Sequence, residues 1–139
     1  MGRVRAAAAV IAIDTNVVVR FLTRDDPVQA ARARSLIEKE LILLPTAVVL
    51  ETAWVLRRTY RYDHAAISTG IRHFIGLPGV RVEDAAAVAR ALDWYDRGLD
   101  FADALHLASS GKASAFATFD RALRRRARAI SGIMPVIPP

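Results

Sequence analysis

Residues 10–16 read VIAIDTN, a short apolar stretch that leads into a helical pattern. The rest of the chain repeats this alternation of apolar stretches and helical patterns. Four consecutive apolar residues without a polar partner are typical of a strand buried on both faces of a parallel sheet. Asn16 then opens a segment with helical apolar spacing, so the strand leads into a helix. Asp14 is therefore expected at the carboxyl end of a strand, where open α/β sheets bind their ligands. The alternative is a turn or N-cap role for Asp14.

Short apolar strands and amphipathic helices alternate along the chain. Strands are predicted at 10–13, 41–44, 80–82, 115–118 and 134–137, with helices at 16–22, 28–40, 47–60, 64–76, 85–97, 100–110 and 120–129. Thr46 is expected to cap the third helix, and Pro135 restricts the last strand to a sheet edge. This alternation predicts an α/β fold with a central sheet of four or five mostly parallel strands, flanked by helices.

Length and composition narrow the class of protein. The 139 residues predict one domain, 1–139, with a ragged N-terminal extension at 1–9. Apolar residues make up 53% of the chain and charged ones 24%, which is typical of a globular protein. The absence of cysteine excludes disulfides, thiolate metal sites and cysteine nucleophiles. The apolar run at 6–13 is too short to cross a bilayer, so we expect a cytoplasmic protein without membrane attachment.

The net charge of +6 comes almost entirely from arginine. A basic surface favours polyanions such as nucleic acid, although a GC-rich genome also enriches arginine, so charge alone is weak evidence. Residues 121–128 contain five arginines and no acid. One face of this predicted helix could hold phosphates beside Asp120, the alternative being a solvated surface helix. The arginines on that face are Arg121, Arg124, Arg125 and Arg128, and Arg20 and Arg24 are further candidates.

Glu51 lies in the middle of a predicted helix. Its neighbours at three and four residues are all apolar: Ala47, Val48, Trp54 and Val55. A glutamate in a buried stripe needs a compensating charge or a metal ion. The alternative is a helix rotated so that the Glu51 carboxylate reaches water.

Asp103 and Asp120 extend this pattern of acids. Asp100 and Asp103 share one helical face and repel each other unless a cation lies near them, although Asp100 could instead cap the helix. Asp103, one turn into an apolar helix, is the stronger site candidate. Asp120 follows a predicted strand as Asp14 does, and capping would also account for it. His106, on the same helix as Asp103, is more often structural than a base or ligand.

Several carboxylates in one crevice cannot all stay ionised without a cation. Since cysteine is absent and the three histidines are scattered, the available ligands are oxygens, which favour Mg²⁺ or Mn²⁺ over Zn²⁺. An ion held in this way mainly serves phosphoryl chemistry. The chain lacks a P-loop and a Gly-x-Ser-x-Gly elbow. A nucleic-acid backbone is therefore the substrate that best suits this basic protein.

The order of these motifs resembles that of the PIN-domain ribonucleases, most of all the VapC-like toxins of bacterial type II toxin–antitoxin pairs. The resemblance rests on IDTN at 13–16, the mid-helix Glu51, DFADALHLA at 100–108 and TFD at 118–120, and it covers nearly the whole chain. It implies a PIN-like domain and a Mg²⁺- or Mn²⁺-dependent endoribonuclease. It also implies a cognate antitoxin and a homodimer or higher oligomer.

The same resemblance assigns roles to individual residues. Asn16 and Thr118 match positions that orient acids or water, and Asp100 is an extra acid close to the site. An alanine-rich N-terminal extension and an arginine-heavy last helix depart from the family pattern and leave the substrate preference open. The implied catalytic and metal-binding acids are Asp14, Glu51, Asp103 and Asp120.

Two other functions remain compatible with the sequence. One is a non-catalytic module that binds nucleic acid or an acidic partner through its basic face, in a salt-sensitive and metal-independent way. The other is a structure-specific DNA nuclease or exonuclease with the same acidic metal site. Cleavage assays that compare DNA flaps with RNA hairpins separate this nuclease from a ribonuclease.

Overall fold

A computed structural model describes residues 9–139, so the predicted extension at 1–9 lies outside the described residues except for Ala9. Strands and helices alternate from one end of the described chain to the other, as the sequence pattern predicts. The elements in chain order are β1 (Val10–Ala12), α1 (Thr15–Thr23), α2 (Pro27–Lys39), β2 (Leu41–Leu44), α3 (Thr46–Arg58), α4 (His64–Ile75), β3 (Val80–Val82), α5 (Ala85–Asp96), α6 (Phe101–Ser109), β4 (Phe116–Ala117), α7 (Arg121–Arg128) and β5 (Val136–Ile137).

All the strand pairs are parallel, which confirms the α/β class. β2 lies between β1 and β3, with Ile11 opposite Ile42 and Ile42 opposite Val80. β4 and β5 form a separate pair, with Phe116 opposite Val136. The described strands thus divide into sheets of three and two, whereas the sequence predicted one sheet of four or five. β4 and β5 are only two residues long and form few ladder hydrogen bonds. The place of such short strands is therefore set by packing between distant segments, which the sequence pattern does not report.

The prediction that the first strand is buried on both faces is wrong. β1 is at the edge of the three-stranded sheet among the described residues, and Val10 and Ala12 are exposed. The central strand is β2, where Ile42 and Leu44 are buried. Apolar composition alone does not distinguish an edge strand from a central one, because strand order is set by pairing partners elsewhere in the chain.

Helix α3 is rotated relative to the face predicted for it. Its buried residues are Val49, Thr52, Ala53 and Leu56. Glu51 is exposed, and Trp54, three residues on, is 58% exposed. The expectation of a Glu51 buried in an apolar stripe is therefore wrong, and the alternative of a carboxylate that reaches water is the one observed.

In the described part of the chain, six helices directly follow an aspartate whose side chain accepts a hydrogen bond from a backbone N–H three residues on. Helix α3 is the exception, because Pro45 occupies its N-cap position and Thr46 is already helical. The Thr46 backbone N–H instead donates to Glu83 Oε1 at 2.9 Å, from the segment after β3. The predicted capping by the Thr46 side chain is thus wrong. The capping aspartates are Asp14, Asp26, Asp63, Asp84, Asp100 and Asp120.

The core lies between the three-stranded sheet and the helices. Its largest fully buried side chains include Phe74, Leu56, Leu92 and Leu107, from four different helices. Trp94, on α5, is buried with them. Within residues 9–139, none of the helices has the length and hydropathy required to cross a bilayer.

Candidate functional site

Asp14 lies just beyond the carboxyl end of β1, where the sequence pattern predicts it. Its side chain is exposed, and Oδ1 accepts a hydrogen bond from the Val17 backbone N–H at 3.3 Å as the N-cap of α1. The cap orients the carboxylate at the sheet edge, but it does not bury it. Capping and ligand binding are compatible here, because a capping carboxylate has a second oxygen free for another partner.

Glu51 is bound to Thr15, the residue that follows Asp14. The Thr15 hydroxyl, on a side chain that is only 6% exposed, donates a hydrogen bond to Glu51 Oε1. The contact joins the first turn of α1 to the middle of α3, two helices that pack against each other. Glu51 itself is exposed. One acid from a strand end and one from a helix therefore lie at the same edge of the fold.

Asp103 is half-buried on α6, one turn after the capping Asp100. The Asp103 backbone N–H donates to Asp100 Oδ2 at 3.2 Å. Burial raises the pKa of the Asp103 carboxyl, and the nearby negative charges of Asp100 and Asp120 raise that pKa further. Arg126 and His106 oppose the shift. Asp103 is thus an acid held where an additional positive charge would be favourable.

Asp120 is held in place by the turn between β4 and α7. Its backbone N–H donates to Thr118 Oγ1 at 3.1 Å, and its Oδ1 accepts from the Leu123 N–H at 3.0 Å. The Arg124 guanidinium donates from Nη1 to the Thr118 carbonyl at 2.7 Å. Thr118 therefore positions Asp120 through its hydroxyl and anchors Arg124 through its carbonyl.

The oxygen-only donor set fits Mg²⁺ or Mn²⁺ by its chemistry, and the raised pKa of Asp103 shows an acid that a cation would stabilise. The structure relates the acids in two groups: Glu51 with Thr15 and Asp14, and Asp103 with Asp100 and Asp120. Within residues 9–139, no three Asp, Glu or His side chains lie close enough together to hold a metal ion. The quartet expected to share one crevice is thus not gathered around a single point.

The arginines predicted to bind phosphates differ in their exposure and in whether other residues already bind their guanidinium groups. Arg121, Arg125 and Arg128 are exposed on α7, whereas Arg124 is half-buried against Thr118. Arg24 is exposed at the end of α1. Three free guanidinium groups on one short helix form a surface suited to an extended polyanion.

Arg20 is engaged with neighbouring side chains at the far end of α1 from Asp14. Its Nη1 lies 3.2 Å from Asp25 Oδ1 and 2.9 Å from the Tyr60 hydroxyl, and its Nε donates to Gln29 Oε1 at 2.7 Å. These contacts neutralise part of the Arg20 charge. They leave it a weaker candidate for phosphate binding than the exposed arginines of α7.

A groove of about 640 Å³ runs between α1 and α2. Asn16 and Arg20 lie along it together with Arg32 and Lys39 from α2. None of the four candidate acids lines this groove. The structure therefore places Asn16 between the acidic edge and a separate basic groove.

The sequence did not identify Thr15 or Arg126 as residues that contact or influence the candidate acids. Thr15 directly follows Asp14, but its contact with Glu51 depends on the packing of α1 on α3, so no local sequence signal identifies it. Arg126 was left out because it does not share the face of the other arginines on α7. Its effect on the pKa of Asp103 depends on how α6 and α7 are placed, which no local pattern reports.

Comparisons with known proteins bear on the family. A family model described as the PIN domain matches residues 11–129. Among solved structures, the chain is similar to VapC20 of Mycobacterium tuberculosis, described as a toxin that cleaves the sarcin-ricin loop. The two share 22% sequence identity over 94% of this chain and 100% of that one, with a TM-score of 0.42. Values this low carry no inference about activity. The comparison with curated proteins gave no significant match.

Proposed function

The chain belongs to the PIN-domain family, and we propose that it is a Mg²⁺- or Mn²⁺-dependent endoribonuclease that serves as the toxin of a toxin–antitoxin pair. Family membership supports a nuclease in general. The metal-dependent part is supported by the position of Asp14 at the carboxyl end of β1 and by the half-buried Asp103, which has the acids Asp100 and Asp120 as neighbours. A divalent cation is the natural partner for such a group of oxygens.

The ion would be held by Asp14, Glu51, Asp103 and Asp120, with Asp100 as a further ligand or as the cap that places Asp103. When bound, it would lower the pKa of a water molecule and neutralise charge on the phosphodiester. The two groups of acids would have to approach each other as the ion binds. One carboxylate oxygen of Asp14 caps α1 and one of Glu51 accepts from Thr15, so each acid would offer its second oxygen to the ion.

The remaining residues of the site would position the acids and the substrate. Thr15 holds one oxygen of Glu51, and Thr118 holds the backbone of Asp120. Asn16, exposed in the first turn of α1, is close enough in sequence to orient a water or an acid beside Asp14. The exposed arginines of α7 would bind phosphates on either side of the cleaved bond.

The test is cleavage of purified total RNA, including tRNA, by the wild type and by Asp14→Asn, with Mg²⁺, with Mn²⁺ and in EDTA. Asparagine keeps the oxygen that caps α1, so this variant should fold while losing a metal ligand. We expect cleavage only by the wild type with metal. Asp63→Asn, which changes the equivalent cap of α4, is the matched control and should cleave normally. Equal activity of Asp14→Asn, or full activity in EDTA, would reject the proposal.

We also propose a cognate antitoxin as protein partner and a homodimer or higher oligomer as the free state. An adjacent reading frame for a small DNA-binding protein, and its co-purification with this chain, would support the toxin role. Light scattering on the purified chain gives the oligomeric state. The single domain over residues 1–139 and the cytoplasmic location stay predictions.

A second candidate is a nucleic-acid-binding module without catalysis, which the exposed arginines of α7 favour. It would bind RNA or DNA with strong salt dependence, with or without metal, and binding would survive replacement of all four acids. A DNA nuclease that uses the same acids is distinguished by assays on DNA flaps and RNA hairpins.

A further inference from the structure

We propose that Phe119 is a stacking platform for one unpaired base of the RNA, beside the phosphate that the acidic site would cleave. This inference rests on the proposed function, because it places a nucleic acid at the turn between β4 and α7. Phe119 lies between Thr118 and Asp120, and its side chain is 85% exposed. It is the most exposed of the large apolar side chains found on the surface of residues 9–139.

A local structural role does not account for Phe119. The residue before an N-cap commonly packs against the fourth residue of its helix, in a hydrophobic staple. In α7 that residue is Arg124, whose guanidinium is bound to the Thr118 carbonyl, and Phe119 remains in water. An aromatic ring left exposed in this way gives up the burial free energy that it would otherwise contribute. The ring therefore has no internal partner that explains its position.

The backbone around Phe119 is anchored on both sides. The Thr118 backbone N–H donates to the Ile137 carbonyl at 2.9 Å, in the β4–β5 pair. On the other side, Asp120 is fixed by its hydrogen bonds to Thr118 and Leu123. The ring is thus presented from an ordered turn rather than from a loose loop. A preorganised ring loses less conformational entropy when a base stacks on it.

The charges around Phe119 favour a nucleic acid over a protein partner. Arg121 and Arg125 are exposed in the turns of α7 that follow, and residues 121–128 contain no acid. Exposed guanidinium groups beside an aromatic face are the combination that single-stranded nucleic acids bind, with phosphates on the arginines and a base on the ring. Because stacking uses the π-face of any base, the contact would position the strand and be tolerant of sequence.

The experiment measures RNA affinity in the Asp14→Asn background, which prevents cleavage during titration. The probes are a fluorescein-labelled single-stranded RNA 12-mer and a 12-mer of the same backbone with abasic residues. Phe119→Ala and Phe119→Leu should weaken binding to the ordinary RNA roughly tenfold and leave binding to the abasic strand unchanged. Phe119→Tyr, which keeps the ring, should bind as Phe119 does. Val28→Ala, at an exposed apolar residue of α2, is the matched control and should change neither affinity.

Equal losses on the two probes, unchanged affinity of Phe119→Ala, or no RNA binding at all by the Asp14→Asn parent would overturn the proposal. A changed oligomeric state of Phe119→Ala would assign the ring to a protein interface and overturn it as well. The proposed function is tested separately, by metal-dependent cleavage with the wild type. A wild type that cuts RNA while Phe119→Ala binds normally refutes only the stacking role. A base-dependent loss of affinity with an inactive wild type refutes only the nuclease.

Discussion

The Thr15 hydroxyl donates a hydrogen bond to Glu51 Oε1 across 36 residues of sequence. This contact ties the first turn of α1, immediately after Asp14, to the exposed face of α3. It links a glutamate on the water-facing surface of α3 to the residue that follows the aspartate at the end of β1. The position of Glu51 thus depends on a buried threonine that carries no charge itself.

Replacement of Thr15 by valine should lower RNA cleavage more than it lowers stability. Valine keeps the size of the buried side chain but removes the donor to Glu51, at a cost of about 1 kcal/mol in the free energy of unfolding. The freed Glu51 carboxylate would occupy several rotamers, so we expect roughly a tenfold loss of kcat/KM. Cleavage kinetics and urea unfolding measure the two effects. Thr15→Ser should retain both, and a Thr15→Val enzyme with normal kcat/KM would show that the contact is only structural.

Asp103→Asn should abolish cleavage and yet stabilise the metal-free protein at neutral pH. The pKa of Asp103 is raised in the fold, so its contribution to stability is complete below the ordinary pKa of an aspartate and is lost as pH rises through the folded pKa. At pH 7 the ionised carboxylate therefore destabilises the fold. Its removal should raise the free energy of unfolding by about a few tenths of a kcal/mol after solvent screening. Thermal unfolding from pH 3 to pH 8 should show this gain shrinking towards acid.

The same variant tests the metal site without an activity assay. Mg²⁺ or Mn²⁺ should raise the melting temperature of the wild type, because an ion that binds the folded state alone stabilises it. Asp103→Asn should respond less to the ion, whereas Asp63→Asn should respond as the wild type does. An identical response of Asp103→Asn and the wild type would separate Asp103 from the metal.

Arg124 and Arg125 should give different kinetic effects although they are adjacent. Arg124 holds the Thr118 carbonyl, so Arg124→Ala should disturb the turn that carries Asp120 and lower kcat. Arg125 is exposed, so Arg125→Ala should raise KM and reduce the salt dependence of RNA binding by about one unit of log K against log salt. Salt titrations and cleavage kinetics measure the two. Equal effects on kcat would contradict the positioning role of Arg124.

Arg61→Gly should stabilise the protein without affecting RNA cleavage. Arg61 has a φ of 57°, in the left-handed region that costs a residue with a side chain more than it costs glycine. We expect a gain of about 0.5–1 kcal/mol in the free energy of unfolding, measured in urea. Arg90→Gly, at an exposed position inside α5, is the matched control and should cost about 1 kcal/mol. A loss of stability in Arg61→Gly would show that its side chain has an unrecognised partner.

Much of the fold follows from interactions between residues close in sequence. Apolar spacing distinguishes strands from helices, and each aspartate cap acts within one turn, so the elements and the location of Asp14 after β1 were predictable. Capping does not identify a binding site, however, because an aspartate at the start of a helix caps that helix whether or not it also binds a ligand. Asp63 on α4 and Asp120 on α7 make the same local contact.

The sequence by itself determined the alternation of strands and helices, the capping role open to Asp14, Asp100 and Asp120, and the basic character of α7. Only the tertiary structure decided that α3 turns Glu51 outward, that Thr15 holds it and that Arg20 is neutralised by Asp25. Helix rotation and strand order depend on which distant side chains pack together. That packing is the sum of many small contacts between segments far apart in the chain, and no local spacing reports it.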